Sequence, residues 1–317
     1  MAQNLNPQQQ AALQYIDGPL LVLAGAGSGK TSVITKKIAY LVEDCGIPAR
    51  NIAAVTFTNK AAREMKARVS SLLGKENGKG LTVSTFHNLG LTIIRTEIKA
   101  LGFRPGFSIL DQEDCRKLIK ELLVRHTELD EKLIDTAQNT ISNWKNSLLE
   151  PGSAVSAANS TGEQGIAMLY ERYQRALKAY NAVDFDDLIM TPVLLFKQQP
   201  EILAKWQRRI RYLLVDEYQD TNLAQYELVK TLVNEKQALT VVGDDDQSIY
   251  AWRGARPENL MQLQEDFPSL NIIKLEQNYR STGRILKAAN TLIDNNPHLI
   301  SKALWSELGP GDPLRFI

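Results

Sequence analysis

The sequence has only two cysteines in 317 residues, Cys45 and Cys115. They lie far apart and without metal-ligand spacing, which excludes a disulfide scaffold and a zinc finger and suits reduced thiols in the cytoplasm. No apolar run approaches the ~18 residues that a membrane span needs. The start is polar and rich in glutamine, without the basic-then-apolar order of a secretory signal. Net charge is nearly absent too, at +1. Charge alone therefore gives no hint of a nucleic-acid partner, and any such partner must be argued from local sites. What remains is ordinary globular composition, 44% apolar and 23% charged, in a length that suits about two domains.

Short runs of valine, isoleucine and leucine recur at 20–23, 52–57, 81–84, 212–215, 239–242 and 272–275. Runs apolar on both faces predict strands buried in a parallel sheet. Helical spacing separates most of them, at 31–42 and 60–73, so the expected fold class is α/β with crossover helices. From about 89 to 210 helical patterns dominate (115–124, 132–144, 166–180, 186–197), with no clear buried strand. A small-residue stretch at 151–165 reads as a loop dividing them. This segment is expected to be a helical subdomain inserted between 1–88 and 211–274. Residues 275–317 are expected to begin a further domain, with a helix over 282–296 and a strand starting at 313–317. A chain that stops inside an element is expected to be part of a longer protein.

Ala24-Gly25-Ala26-Gly27-Ser28-Gly29-Lys30-Thr31 follows the first predicted strand and opens the first long helix. Glycines there let backbone N–H groups surround phosphate oxygens, and the helix N-terminus adds its dipole. Lys30 supplies a charge to the β- and γ-phosphates of ATP, and the Thr31 hydroxyl is a magnesium ligand. The run 212–215 delivers Asp216 and Glu217 at a strand end, where ligands bind in open α/β sheets. Asp216 is expected to hold the magnesium ion, and Glu217 to orient and deprotonate the attacking water.

Asp216-Glu217-Tyr218-Gln219-Asp220 resembles the second motif of the superfamily 1 DNA helicases of the UvrD/Rep/PcrA group. Other motifs of that family follow in order: 5–9, Thr56 to Ala62, Ser84 to His87, Val242 to Tyr250, 252–255 and Glu276 to Ser281. The stretches 142–146 and 253–257 point to the Rep branch. The resemblance runs from residue 5 to the end of the chain. It implies two RecA-like domains with ATP between them and 3′-to-5′ movement on single-stranded DNA. It also implies partners in replication or repair and no membrane. Gln9 then reads the adenine edge, Tyr279 stacks on adenine, and Gln247 and Arg280 contact the γ-phosphate. Phe57, Tyr250 and Trp252 offer faces to bases, while Thr58, Asn59, Thr85, His87 and Arg253 offer polar contacts, the residue types that single-strand binding needs. Ser32 stands where the family usually has arginine, so Tyr279 is expected to stack on adenine alone.

The later family motifs, with a second arginine for the γ-phosphate, lie beyond residue 317. The chain is accordingly expected to bind ATP and magnesium weakly, hydrolyse slowly and not unwind duplex DNA alone. Two other readings share parts of this pattern. One is the ATPase part of a helicase–nuclease, and the other a DNA-binding module with a vestigial nucleotide site.

Overall fold

The apolar runs become strands, most of them covered on both faces as their composition suggests. The computed structural model describes residues 5–123, 131–251, 254–296 and 300–315. Its strands are β1 (Leu20–Ala24), β2 (Ile52–Thr56), β3 (Thr82–Thr85), β4 (Ser108–Leu110), β5 (Ala182–Asp184), β6 (Tyr212–Val215), β7 (Leu239–Gly243) and β8 (Asn271–Leu275). Six of them form one parallel sheet in the order β3-β2-β6-β7-β1-β8. Strands β1, β2, β6 and β7 are buried at every position.

The chain divides into two compact units, 1–85 with 204–221 and 232–317, and 86–203 with 222–231. In the first, the core gathers Val22, Ile34, Ile38, Leu41, Ile52, Ala54, Leu214, Val242 and Leu275 between sheet and helices. All six strands run the same way, so the segments after Ala24, Thr56, Val215, Gly243 and Leu275 leave the sheet at one edge. That edge is where ligands of open α/β sheets bind. Strand β8 pairs with β1 from Leu20 opposite Asn271 to Ala24 opposite Leu275.

The second unit is largely helical, with a core built on Ile119, Ile134, Ala137, Ile141, Ala167, Tyr170 and Tyr173. It is not free of strands, which corrects the expectation for 89–210. Strands β4 and β5 pair in parallel, and β5 is fully buried. Three residues are too few to show a period in sequence. The expected loop at 151–165 also folds, into the helix Pro151–Ala157 and the first turns of Thr161–Ala179. Pro151 opens the former at a position where its missing N–H is harmless, and Ser160 caps the latter by accepting from the Glu163 N–H. Of the strand expected at 313–317, residues 313–315 are not extended into a strand and 316–317 lie outside the described residues.

Candidate functional site

The glycine loop between β1 and the helix Lys30–Glu43 treats its two kinds of backbone group unequally. Every carbonyl from Gly25 to Gly29 has a donor inside the protein. Gly25 accepts from the Ser28 N–H and, at 2.7 Å, from its hydroxyl. Ala26 accepts from Asn278 Nδ2 at 2.6 Å and Gly27 from the Tyr279 N–H at 3.0 Å. Ser28 accepts from Gln9 Nε2 at 2.9 Å, and Gly29 from the N–H groups of Ser32 and Val33. The N–H groups of Ala26, Gly27, Gly29, Lys30 and Thr31 donate to no protein acceptor among the described residues. Carbonyls turned away and amides left over make an anion-binding nest at a helix N-terminus. Gly27 and Gly29 have φ of +70° and +90°, values that L side chains resist. A β-carbon at Gly27 would lie 2.7 Å from Asn278 Nδ2, and one at Gly25 would collide with Leu304.

Lys30 reaches two side chains at this edge, the Gln247 carboxamide and the Glu217 carboxylate. Its Nζ lies 3.1 Å from Gln247 Oε1 and 3.4 Å from Glu217 Oε2. Glu217 has φ +52°, a left-handed conformation rare outside glycine. Strain of this kind is held only where surroundings enforce it, and Gln219 helps by donating to Glu217 Oε2 at 3.0 Å. Asp216 is buried at the end of β6, and burial together with the Glu217 charge pushes its carboxyl up to about 7. A buried carboxylate facing such a penalty is one that a cation relieves. The Thr31 hydroxyl, half-exposed, has no protein partner among the described residues. Thr31 and Asp216 therefore fit a magnesium site. The other acidic group, Asp244, Asp245 and Asp246, already holds the ammonium of Lys302.

Gln9 is buried and its carboxamide is engaged at both ends. The helix Pro7–Gln14 opens with a capping box in which Gln9 Oε1 accepts from the Asn6 N–H while Asn6 Oδ1 accepts from the Gln9 N–H. One N–H and one lone pair of the carboxamide remain. Beside it the Tyr279 hydroxyl accepts from Asn6 Nδ2 and donates to Gln277 Oε1, both at 2.9 Å, with the residue 45% exposed. Arg280 is exposed, and its guanidinium bonds to no described residue.

Phe57, Thr58 and Asn59 follow β2, with Thr58 capping the helix Asn59–Asn77 through the Ala61 N–H. Phe57 and Tyr250 are half-buried, whereas Thr85 is buried at the end of β3. Trp252 and Arg253 lie outside the described residues. His87 belongs to the second unit, where burial pushes its imidazole below the usual range. Its ring meets Phe185 edge to face at 6.0 Å, and Phe185 is 52% exposed. Phe185, exposed beside His87, was not among the residues singled out from the sequence. Asn278 falls within the motif Glu276 to Ser281, but its bond to the Ala26 carbonyl is visible only in the fold, and Lys302 carries no signal because its partners are distant in sequence.

A parallel sheet that presents a glycine nest, a lysine, an Asp-Glu pair and a glutamine at one edge defines a P-loop nucleotide-binding domain of RecA-like type. Residues 5–268 match the family described as UvrD/REP helicase N-terminal domain, and the chain belongs to that family. Over 99% of its length it is 58% identical to the ATP-dependent DNA helicase Rep of Escherichia coli (strain K12), covering 46% of that protein. It is 50% identical to Rep of Buchnera aphidicola subsp. Acyrthosiphon pisum, again over 99% of the chain and 49% of the relative. The ATP-dependent DNA helicase PcrA of Leuconostoc citreum is 44% identical over the whole chain, which covers 42% of it. The chain thus spans about half the length of the curated relatives it matches.

Proposed function

We propose that this chain is the ATP- and single-strand-gripping part of a 3′-to-5′ DNA helicase motor and hydrolyses ATP at the edge of its sheet. The observation that carries the reading is the glycine loop's division of labour, engaged carbonyls and free amides, with Lys30 poised between Glu217 and Gln247. The amides and Lys30 bind the β- and γ-phosphates. Magnesium, held by Thr31 and Asp216, would supply charge neutralisation at the phosphates. Arrival of the phosphates draws Lys30 off Glu217 and frees that carboxylate. Glu217 then takes a proton from water as the water oxygen attacks the γ-phosphorus, and ADP departs. Gln247 and Arg280 contact the γ-phosphate. Tyr279 stacks on adenine, and Gln9 reads its edge with the hydrogen-bonding capacity that remains.

Phe57, Tyr250 and Trp252 offer stacking faces to single-stranded DNA, each worth ~1–3 kcal/mol per base. Thr58, Asn59, Thr85, His87 and Arg253 offer polar contacts. Among the described residues no helix is long and apolar enough to cross a membrane, and cytoplasmic work beside replication or repair proteins suits the family. The vestigial-module reading is not favoured, because Lys30, Thr31, Asp216, Glu217 and Gln247 are all present.

Single-turnover ATP hydrolysis, with and without oligothymidylate, tests the proposal. Wild type should respond to DNA, and Glu217→Gln should slow hydrolysis by about 10²-fold or more without weakening Mg-ATP binding. Equal rates in both proteins would sink the reading.

A further inference from the structure

Lys302 stands outside every motif of the sequence, yet its side chain is only 3% exposed. Its Nζ lies 2.7 Å from Asp244 Oδ1, 2.7 Å from Asp245 Oδ1 and 2.6 Å from Asp246 Oδ2. Burial alone would lower the pKa of the ammonium. Hydrogen bonds to the three carboxylates outweigh it and hold the group above the usual lysine range.

The Asp244 carboxylate is shared. Its Oδ1 takes Lys302 and, at 3.3 Å, the Asp246 N–H. Its Oδ2 accepts from Gln247 Nε2. With its nitrogen end committed there, the Gln247 carboxamide must present Oε1 to Lys30, at 3.1 Å. A second path reaches the same place, since the Asp244 N–H donates to Gln219 Oε1 while Gln219 Nε2 donates to Glu217. One cation thus anchors a carboxylate that orients a group at the phosphates, an arrangement in which supporting residues matter almost as much as the groups they support.

We propose that Lys302 is a positioning residue for nucleotide hydrolysis, acting through Asp244 to fix which end of the Gln247 carboxamide faces Lys30 and the γ-phosphate. The inference rests on the ATP-site reading above. The segment around Lys302 has its own attachments. Lys274 Nζ donates to the Ser301 carbonyl at 2.6 Å and the Ala303 N–H to Glu276 Oε1 at 2.9 Å. The Trp305 N–H donates to the Glu276 carbonyl at 3.0 Å, and Asn290 Nδ2 to the Leu304 carbonyl at 2.9 Å. Removing the ammonium therefore leaves the segment in place and perturbs what Asp244 does.

A double-mutant cycle tests this, with single-turnover hydrolysis at saturating Mg-ATP measured for wild type, Lys302→Met, Gln247→Ala and the double variant. Lys302→Met should slow hydrolysis about tenfold, a typical loss for a supporting residue, with Mg-ATP affinity within about threefold of wild type. In the Gln247→Ala background it should cost no more than about twofold, because residues acting as one unit are not additive. Equal losses in both backgrounds would overturn the inference while leaving the ATP site standing. Failure of wild type to bind Mg-ATP would overturn both. If Lys302→Met does not fold, Lys302→Gln, which loses the charge, takes its place in the same cycle: a loss that disappears in the Gln247→Ala background supports the positioning role, and no loss or an additive loss contradicts it.

Discussion

Lys30 and Glu217 face each other at 3.4 Å across the strand ends, so the ammonium that would bind phosphate is held by the carboxylate that would activate water. A phosphate that binds Lys30 must therefore compete with Glu217 for the cation. The Glu217 side chain is 38% exposed, and ion pairs of that kind contribute up to ~1 kcal/mol. Glu217→Gln should therefore bind Mg-ATP about two- to fivefold more tightly than wild type while losing hydrolysis. Weaker binding by the variant, measured by fluorescent-nucleotide titration, would show that the pair does not compete with phosphate.

Lys145 is fully buried in the second unit, 2.6 Å from Asp184 Oδ2 and 2.8 Å from Asp187 Oδ1. The Tyr173 hydroxyl donates to Asp184 at 3.0 Å, and Gln174 Nε2 to Asp187 at 3.2 Å. Removing the cation alone strands buried carboxylates. Lys145→Met should destabilise the protein by about 3–5 kcal/mol in urea unfolding, and adding Asp184→Asn and Asp187→Asn should recover about half of that or more. A loss below about 1 kcal/mol would mean the network carries little of the fold.

Gly90 lies in the helix Phe86–Thr96, where a β-carbon would collide with the Leu188 carbonyl oxygen. The obstacle is backbone, which cannot rotate away. Gly90→Ala should destabilise by about 1–3 kcal/mol, the range for overpacking, despite alanine's better helix propensity. An unchanged urea midpoint would contradict the close approach of these helices.

Lys37 is buried, and no carboxylate among the described residues pairs with it. It donates to the carbonyls of Ala12 and Tyr15, with the Tyr212 ring 5.8 Å away. Burial lowers its pKa to about 7, partly offset by Cys45. Below pH 7 the lysine is protonated whether the chain is folded or unfolded. Between about 7 and 10.5 the unfolded chain binds more protons, so this group makes stability rise with pH. Lys37→Met should flatten the rise between pH 7 and 9, measured by urea unfolding. A slope that persists in the variant would place its origin elsewhere.

How far sequence carries the reader depends on how local each determinant is. Strands β1, β2, β6 and β7 are legible because a strand covered on both faces is largely apolar. Lys30, Thr31, Asp216 and Glu217 are legible because loop, strand end and helix start write their chemistry into adjacent positions. Strands β4 and β5 are not, since three residues leave no period and tertiary pairing decides them. The small residues of 151–165 read as a loop by composition, yet Pro151 is well placed to start a helix. Lys302 lies more than fifty positions from Asp244, and only folding shows that they meet.

The most direct test of the central claim is calorimetric titration of Mg-ATP into wild type and Lys30→Ala. The nest and its lysine predict binding by wild type that weakens by about 10²-fold or more when a charge-assisted phosphate contact of about 3 kcal/mol is removed. Equal affinities in the two proteins, or binding by neither, would contradict the account.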